Sequence, residues 1–358
     1  MHDKVIVSLS VFITAVFVIL CTPVNCGACT SFVLEEDGTV LLGKNLDWPV
    51  GDGFVIINSR GIRKDALTED EAGGFSWEAR YGSVTFNQFG RGFPLGGINE
   101  KGLAVEELSY SPSKYPSSRR HALNEFQWVQ YQLDNFGTVE EVISGLKDIT
   151  ISPLIARLHY MVADRKGTVA IIEFIEGELK CYSGADIIVP VLTNNSYENS
   201  IEYLKKHSGF GGARAVTDGS ESPERFVRAA TLIKNRKEMR GSLLEKGIRI
   251  LSSVRQIDTR WSIIYNLSEG RIDFRTDYTG GYRSIQLEDI DFGSGPGIFD
   301  LSSIIEGEEN IIFENYSVEK NSRLLREVLR KLTGMGEVPE GDANRIYNRL
   351  VTYSRGIQ

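Results

Sequence analysis

The sequence predicts an α+β protein, with largely antiparallel sheets covered by helices. Three observations carry this. Strand-like runs come in blocks, helical patterns fall between the blocks, and no regular βαβ rhythm appears.

The elements follow in chain order. Residues 30–34 and 39–42 alternate around Asp37-Gly38, a pair suited to a hairpin turn, and Asp47 comes just after the second strand. Residues 54–58 (FVIIN) and 83–87 (SVTFN) read as strands, with a polar, glycine-bearing loop over 60–76 between them. FGRGFPLGGINEKG reads as turns, 103–108 as a strand and 109–120 as a proline-bearing loop. From His121, Leu123, Phe126, Val129 and Leu133 recur near the helical period, and Phe136-Gly137 stops the run. Thr138 with Glu141 forms a capping box for a second helix.

Strands return at 159–163 and 168–174, and strand-like runs follow in LKCYSG and DIIVPVLTNN. Residues 201–207 read as a short helix and 223–240 as a long one, capped by Ser222 with Pro223 at its first position. Arg225 in that first turn opposes the helix dipole, so it calls for a partner carboxylate or a functional role. A short helix is expected over 243–250, a hairpin over 259–275 and a strand over 284–288. Residues 289–298 read as loop, 303–309 as loop or short strand, and 316–332 and 343–351 as amphipathic helices. No repeat or low-complexity linker divides the chain, so residues 29–358 are expected to form one domain.

The N-terminus points to chemistry. Residues 5–20 are apolar, follow a short start carrying Lys4, and lead into the small residues Cys26, Gly27 and Ala28. This is the pattern of a cleaved secretory signal over 1–28. Cleavage would leave Cys29 first, holding an α-amine and a thiol on one residue. The amine can take the thiol's proton and create a nucleophile. A retained segment would instead be a membrane anchor, though the run is short of the roughly 20 residues a span needs. A lipoprotein signal is the other reading, and CGAC lacks its usual aliphatic residue.

Composition excludes several functions. The chain carries 48 acidic and 40 basic residues, a net charge of −8, with no basic cluster to bind nucleic acid. After processing only Cys29 and Cys181 remain, which is no disulfide framework, and Cys181 reads as a strand residue. The four histidines are scattered and no zinc spacing, dinucleotide loop or phosphate loop occurs. Neither His121 nor His159 sits in a base motif for a Cys–His protease.

CTSFVLEEDGTVLLGKNLDW, GGINEKGLAVEEL, VLTNNS and ESPERFVRAA occur in that order. Together they resemble the choloylglycine hydrolase and penicillin V acylase family, linear amide C–N hydrolases of the N-terminal-nucleophile superfamily. The likeness runs over roughly residues 29–332. It implies a four-layer αββα sandwich, two largely antiparallel sheets covered by helices, and no metal or organic cofactor. It implies Cys29 as nucleophile and Asp47 as the carboxylate that holds the nucleophile's amine or thiol. Lys44 stands where the family has arginine, a point charge replacing a planar fork. Read alone, Lys44 fits a surface turn.

The resemblance further implies an oxyanion hole from the Asn194 side-chain amide, Asn195 being the alternative, and the backbone N–H of Asn99. Arg225 falls on a family arginine and is expected to orient Asp47 or the surrounding charges. The expected substrate is a small N-acyl amide with an apolar acyl group, as in penicillin V. Conjugated bile salts, acyl homoserine lactones and a ceramidase-like or acyltransferase activity are the alternatives, and a non-enzymatic binding protein is a further one. The expected location is secreted or periplasmic, with no stable span after processing. The segment between Asn195 and Ser222 is a candidate for assembly into a dimer or tetramer.

Overall fold

A computed structural model describes residues 28–68, 75–117, 121–278, 280–304 and 310–357. All but Ala28 of the expected signal over 1–28, and most of the uncertain stretch 303–309, lie outside the described residues.

In chain order the strands begin β1 (Thr30–Glu36), β2 (Thr39–Asp47), β3 (Phe54–Asn58), β4 (Arg63–Asp65), β5 (Ser76–Glu78), β6 (Ser83–Asn87), β7 (Gly96–Asn99), β8 (Ala104–Ser109) and β9 (Ala122–Leu123). Helices α1 (Glu125–Asn135) and α2 (Val139–Gly145) come next, then β10 (Thr150–Ile151), β11 (Leu158–Ala163), β12 (Val169–Ile175), β13 (Glu178–Ser183) and β14 (Val191–Leu192). Three helices follow, α3 (Tyr197–Leu204), α4 (Ser222–Lys234) and α5 (Leu243–Ser253). The chain ends with β15 (Thr259–Asn266), β16 (Arg271–Thr276), β17 (Arg283–Gln286), β18 (Gly297–Asp300), β19 (Glu314–Asn315), α6 (Val318–Gly334) and α7 (Glu340–Gly356).

Two large sheets form the centre. One has the order β14-β1-β2-β15-β16-β17, the other β13-β12-β11-β8-β7-β6-β3-β18-β19, and neighbours in both run antiparallel. β1 packs on β8 and β11 across the gap between the sheets. Helices α4 and α5 lie on the first sheet, and α1 and α2 lie on the second. The expected αββα sandwich is therefore the observed one. Among the described residues, no helix is long and apolar enough to cross a membrane.

Local chemistry explains the elements. Asp37 and Gly38 both adopt positive φ, 52° and 78°, as the β1–β2 turn requires. Asn124 caps α1 by accepting from the Phe126 and Gln127 N–H groups, and Thr138 and Glu141 close the expected capping box on α2.

Several boundaries differ from the sequence reading. β2 runs through Asp47, so that residue ends the strand. The presumed loop over 60–76 contains β4 and runs into the first residue of β5, and the turn-rich GGIN is β7. Helix α1 starts at Glu125, because Ala122–Leu123 pairs in parallel with Thr150–Ile151. Only Val191–Leu192 of DIIVPVLTNN pairs in a sheet, and β18 lies partly within the presumed loop over 289–298. α3 begins at Tyr197, four residues earlier than read, where the Ser196 side chain caps it.

Helix α4 ends at Lys234, short of Arg240, and its cap is Glu221 in a box with Glu224. Ser222 does not cap it. Its hydroxyl instead donates to Thr193 Oγ1 at 2.9 Å.

Candidate active site

Cys29 sits at the start of β1 and is 3% exposed. Because β1 pairs with β2 at Thr30↔Asn45, Cys29 is set beside Leu46 and Asp47 at the far end of β2. It lines a cavity of about 330 Å³ whose wall is mostly apolar, with Trp48, Phe89, Leu95, Phe126 and Leu158 prominent. Glu107 and Ser109, from β8, are polar groups on that wall.

Arg225 binds this region together. It is 1% exposed, and its guanidinium turns back from the first turn of α4. Nη1 donates to the Cys29 carbonyl at 2.7 Å and to Thr30 Oγ1 at 2.6 Å. Nη2 donates to Asn194 Oδ1 at 3.0 Å, and Nε to the Ser220 carbonyl at 3.0 Å. These acceptors, with Asp47 Oδ2 at 4.0 Å, offset the cost of a cation at a helix N-terminus.

The same contact fixes Asn194. Its Oδ1 accepts from Arg225, so its Nδ2 points away and donates to the Ser109 carbonyl at 2.9 Å. Of the two adjacent asparagines, Asn194 is thus the one joined to the Cys29 cluster. The Asn195 side-chain Oδ1 is used locally, accepting from the Ser196 N–H at 2.9 Å.

Asp47 is fully buried. Its Oδ1 accepts from Thr259 Oγ1, while its Oδ2 has no hydrogen-bond partner among the described residues. Burial pushes the Asp47 carboxyl up to about 7, against the opposing pull of Thr259 and Arg225. An orphaned buried carboxylate oxygen is costly unless a donor arrives.

Lys44 corrects the surface-turn reading. It lies mid-strand in β2, 1% exposed. Its ammonium pairs with Glu106 Oε2 at 3.3 Å and donates to the Glu107 carbonyl. Glu106 Oε1 also accepts from Tyr265 at 2.6 Å. Burial works against the Lys44 charge, but Cys29 and the two glutamates outweigh it and raise the ammonium's pKa.

Asn99 is the site residue the structure does not bring to this cluster. Its backbone N–H, expected to be an oxyanion donor, is taken by the Leu103 carbonyl at 2.9 Å. Its side chain closes the β7–β8 turn, accepting from the Lys101 and Leu103 N–H groups and donating to the Leu133 and Phe136 carbonyls. The glycine-rich motif that suggested it serves the turn.

Sequence reading missed Glu106, Glu107, Ser109 and Thr259. A signal existed for the first two: adjacent acids inside the strand-like run AVEEL, where buried carboxylates need partners. Burial pushes Glu107 up to about 7, with Lys44 opposing.

With Ala28 attached, the Cys29 nitrogen is a peptide nitrogen, and burial holds its thiol up at about 12. Lys44 pulls the value down, Glu107 and Asp47 push it up, and a hydrogen bond from the Asp47 backbone lowers it. Cys29 and Cys181 are both free thiols.

The chain is similar to several known proteins. The chain is 31% identical over 266 residues to a penicillin V acylase of Pectobacterium atrosepticum, covering 67% of this chain and 69% of that one. It is 24% identical over 292 residues to a bile salt hydrolase/transferase of Bifidobacterium longum, covering 72% and 89%. In fold it is similar to a penicillin V acylase from Agrobacterium tumefaciens, with TM-score 0.71, 23% identity, and 81% and 98% coverage. A conjugated bile acid hydrolase from Clostridium perfringens is similar at TM-score 0.62, 19% identity, and 81% and 97% coverage. Residues 29–258 match the family described as linear amide C–N hydrolases, choloylglycine hydrolase family. The chain belongs to that family and is an enzyme, a hydrolase of linear amides that works by N-terminal-nucleophile chemistry.

Proposed function

We propose that the chain is exported, is cut after Ala28, and then hydrolyses a small N-acyl amide through a thioester on Cys29, in the manner of a penicillin V acylase. The observation that carries this reading is Asp47 Oδ2 beside Cys29, which accepts no hydrogen bond among the described residues and has only the Arg225 charge at 4.0 Å. Cleavage would create an α-ammonium on the adjacent residue, the donor this oxygen lacks. The new positive charge would also lower a thiol that burial holds near 12. Processing would therefore switch on the nucleophile.

The α-ammonium first loses a proton to water, the neutral α-amine then takes the Cys29 thiol's proton and becomes ammonium again, and the thiolate attacks the amide carbonyl. Asn194 Nδ2 stabilises the oxyanion, its orientation set by Arg225. The α-ammonium protonates the departing amine, leaving an acyl thioester and a neutral α-amine. That amine deprotonates water, which attacks the thioester and releases the acid, restoring the thiol. Lys44 and Glu106 hold a buried, neutral pair beside the thiol where the family has arginine.

Two features favour an acylase over a bile salt hydrolase. Identity is higher to the penicillin V acylase, 31% against 24%. The cavity is apolar and, at about 330 Å³, near the lower end of the roughly 300–1,000 Å³ of small-molecule sites. The test is intact mass and turnover on the exported protein. The expected mature N-terminus is Cys29, with phenoxyacetyl amides hydrolysed and an acyl adduct trapped on that residue. Full activity in a chain still carrying Ala28 would overturn the scheme.

A further inference from the structure

The family match ends at residue 258, yet part of the cavity wall comes from much later in the chain. Leu332, in the last turn of α6, and Glu337 and Val338, in the turn between α6 and α7, line the same cavity as Cys29. Leu332 and Val338 are 1% and 6% exposed.

Backbone chemistry fixes this turn. The Gly336 N–H bonds the Thr333 carbonyl at 3.0 Å, the Glu337 N–H bonds the Leu332 carbonyl at 2.9 Å, and Gly336 has φ 80°. That is a Schellman ending, which folds the chain back over the helix's last turn. It places Val338 beside Leu332 at the cavity.

The hairpin is also tied to the segments around Asp52 and Arg91. Asn321 on α6 accepts from the Arg91 N–H at 2.9 Å and donates to Ser354 on α7 at 3.1 Å. Arg91 donates through Nη1 to the Ile357 carbonyl at 3.1 Å, and Lys331 pairs with Asp52 at 2.7 Å. A Cβ on Gly90 would meet Asn321 at 2.7 Å, so the contact is close. The neighbouring residues Gln88, Phe89 and Leu95 line the cavity too. One hairpin therefore supplies wall residues and seats the loop that supplies others.

We propose that the α6–α7 hairpin is the specificity wall of the acyl slot, and that it restricts the enzyme to slim acyl groups, a linear chain or a single ring, and excludes fused rings. This rests on the amide-hydrolase reading above, since the slot opens at Cys29. Phe89 and Phe126 lie with ring centroids 5.0 Å apart in the same wall, surfaces that suit a ring or an extended chain.

The test uses the mature protein with p-nitroanilides of butyric, decanoic, phenoxyacetic and cholic acids. Val338→Trp should lower the decanoyl-to-butyryl ratio of kcat/KM by about tenfold or more, chiefly through KM. The Leu332→Ala/Val338→Ala variant should raise the cholyl-to-butyryl ratio by a similar factor, a gain that misfolding cannot produce. Ratios within twofold of the parent in both variants would overturn the proposal. Calorimetric binding of decanoate, phenoxyacetate and cholate to the Cys29→Ala protein separates the two readings. If no amide is turned over, the amidase reading fails, and the same shift in binding order still decides for or against the wall.

Discussion

At the scale of single residues, charge is held in place by its partners. Lys44 lies between sheets with Glu106, and Glu106 in turn accepts from Tyr265. Removing one member leaves the other buried and unpaired, which costs about 3–5 kcal/mol. Lys44→Met should therefore lose stability on that order in urea unfolding, and adding Glu106→Gln should recover most of it. No recovery would show that the two side chains do not act as a pair. Asn194 answers to a different readout. Asn194→Ala should lower kcat by about 10²–10³ with a small change in KM, because the proposed oxyanion contact would form only in the transition state. Single-turnover acylation rates check this, and a change below twofold would move the oxyanion role elsewhere. Arg225 was legible from electrostatics before any fold was known, as a cation in a helix's first turn. Lys44 was not, because nothing local separates a lysine facing another sheet from one facing water.

At the scale of elements, legibility followed periodicity and failed where glycine served packing. β3 and β6 were read to the residue, since their apolar runs end in clear breaks. β7 was read as a turn because its glycines look like punctuation. Those glycines make room: a Cβ on Gly96 would lie 2.2 Å from the Glu106 carboxylate, and one on Gly97 would lie 2.5 Å from the Val84 carbonyl. Asn99 was misplaced for the same reason, its motif being a turn device. Gly43 makes the point in β2. It pairs with Phe32, and a Cβ there would meet the Phe32 ring at 2.5 Å. Phe32 is fully buried, so the ring cannot swing into solvent. Gly43→Ala should destabilise by about 1–3 kcal/mol, as overpacking does. The adjacent Lys44 should shift with the strand, so activity should fall as well. Thermal unfolding and kcat measured on one preparation check both effects, and an unchanged midpoint would refute the close approach.

At the scale of the whole molecule, folding and the proposed processing would be linked through protons. The layers were readable from element order, but the meeting of residues 29, 47, 194, 225 and 259 depends on sheet register and helix docking, which no local window contains. That meeting leaves Asp47 near 7 against an ordinary 3.8 while Ala28 is still attached. A carboxyl raised on folding means that the folded state binds more protons than the unfolded state between about pH 4 and 7. Its stabilising contribution is full below the unfolded value and is lost as pH rises through the folded one. For Asp47 the loss is on the order of a few kcal/mol, at about 1.4 kcal/mol per pH unit of displacement. Glu107, raised to about 7, adds a loss of the same sign whether or not the chain is cut. The Cys29 ammonium formed by cleavage should hold Asp47 ionised and remove most of its share. A chain beginning at Ala28 should therefore lose more stability from pH 4.5 to 7.5 than one beginning at Cys29, by a margin readable in urea unfolding. Parallel curves for the two chains would mean that the new amine does not reach Asp47, and the activation scheme built on that contact would fall.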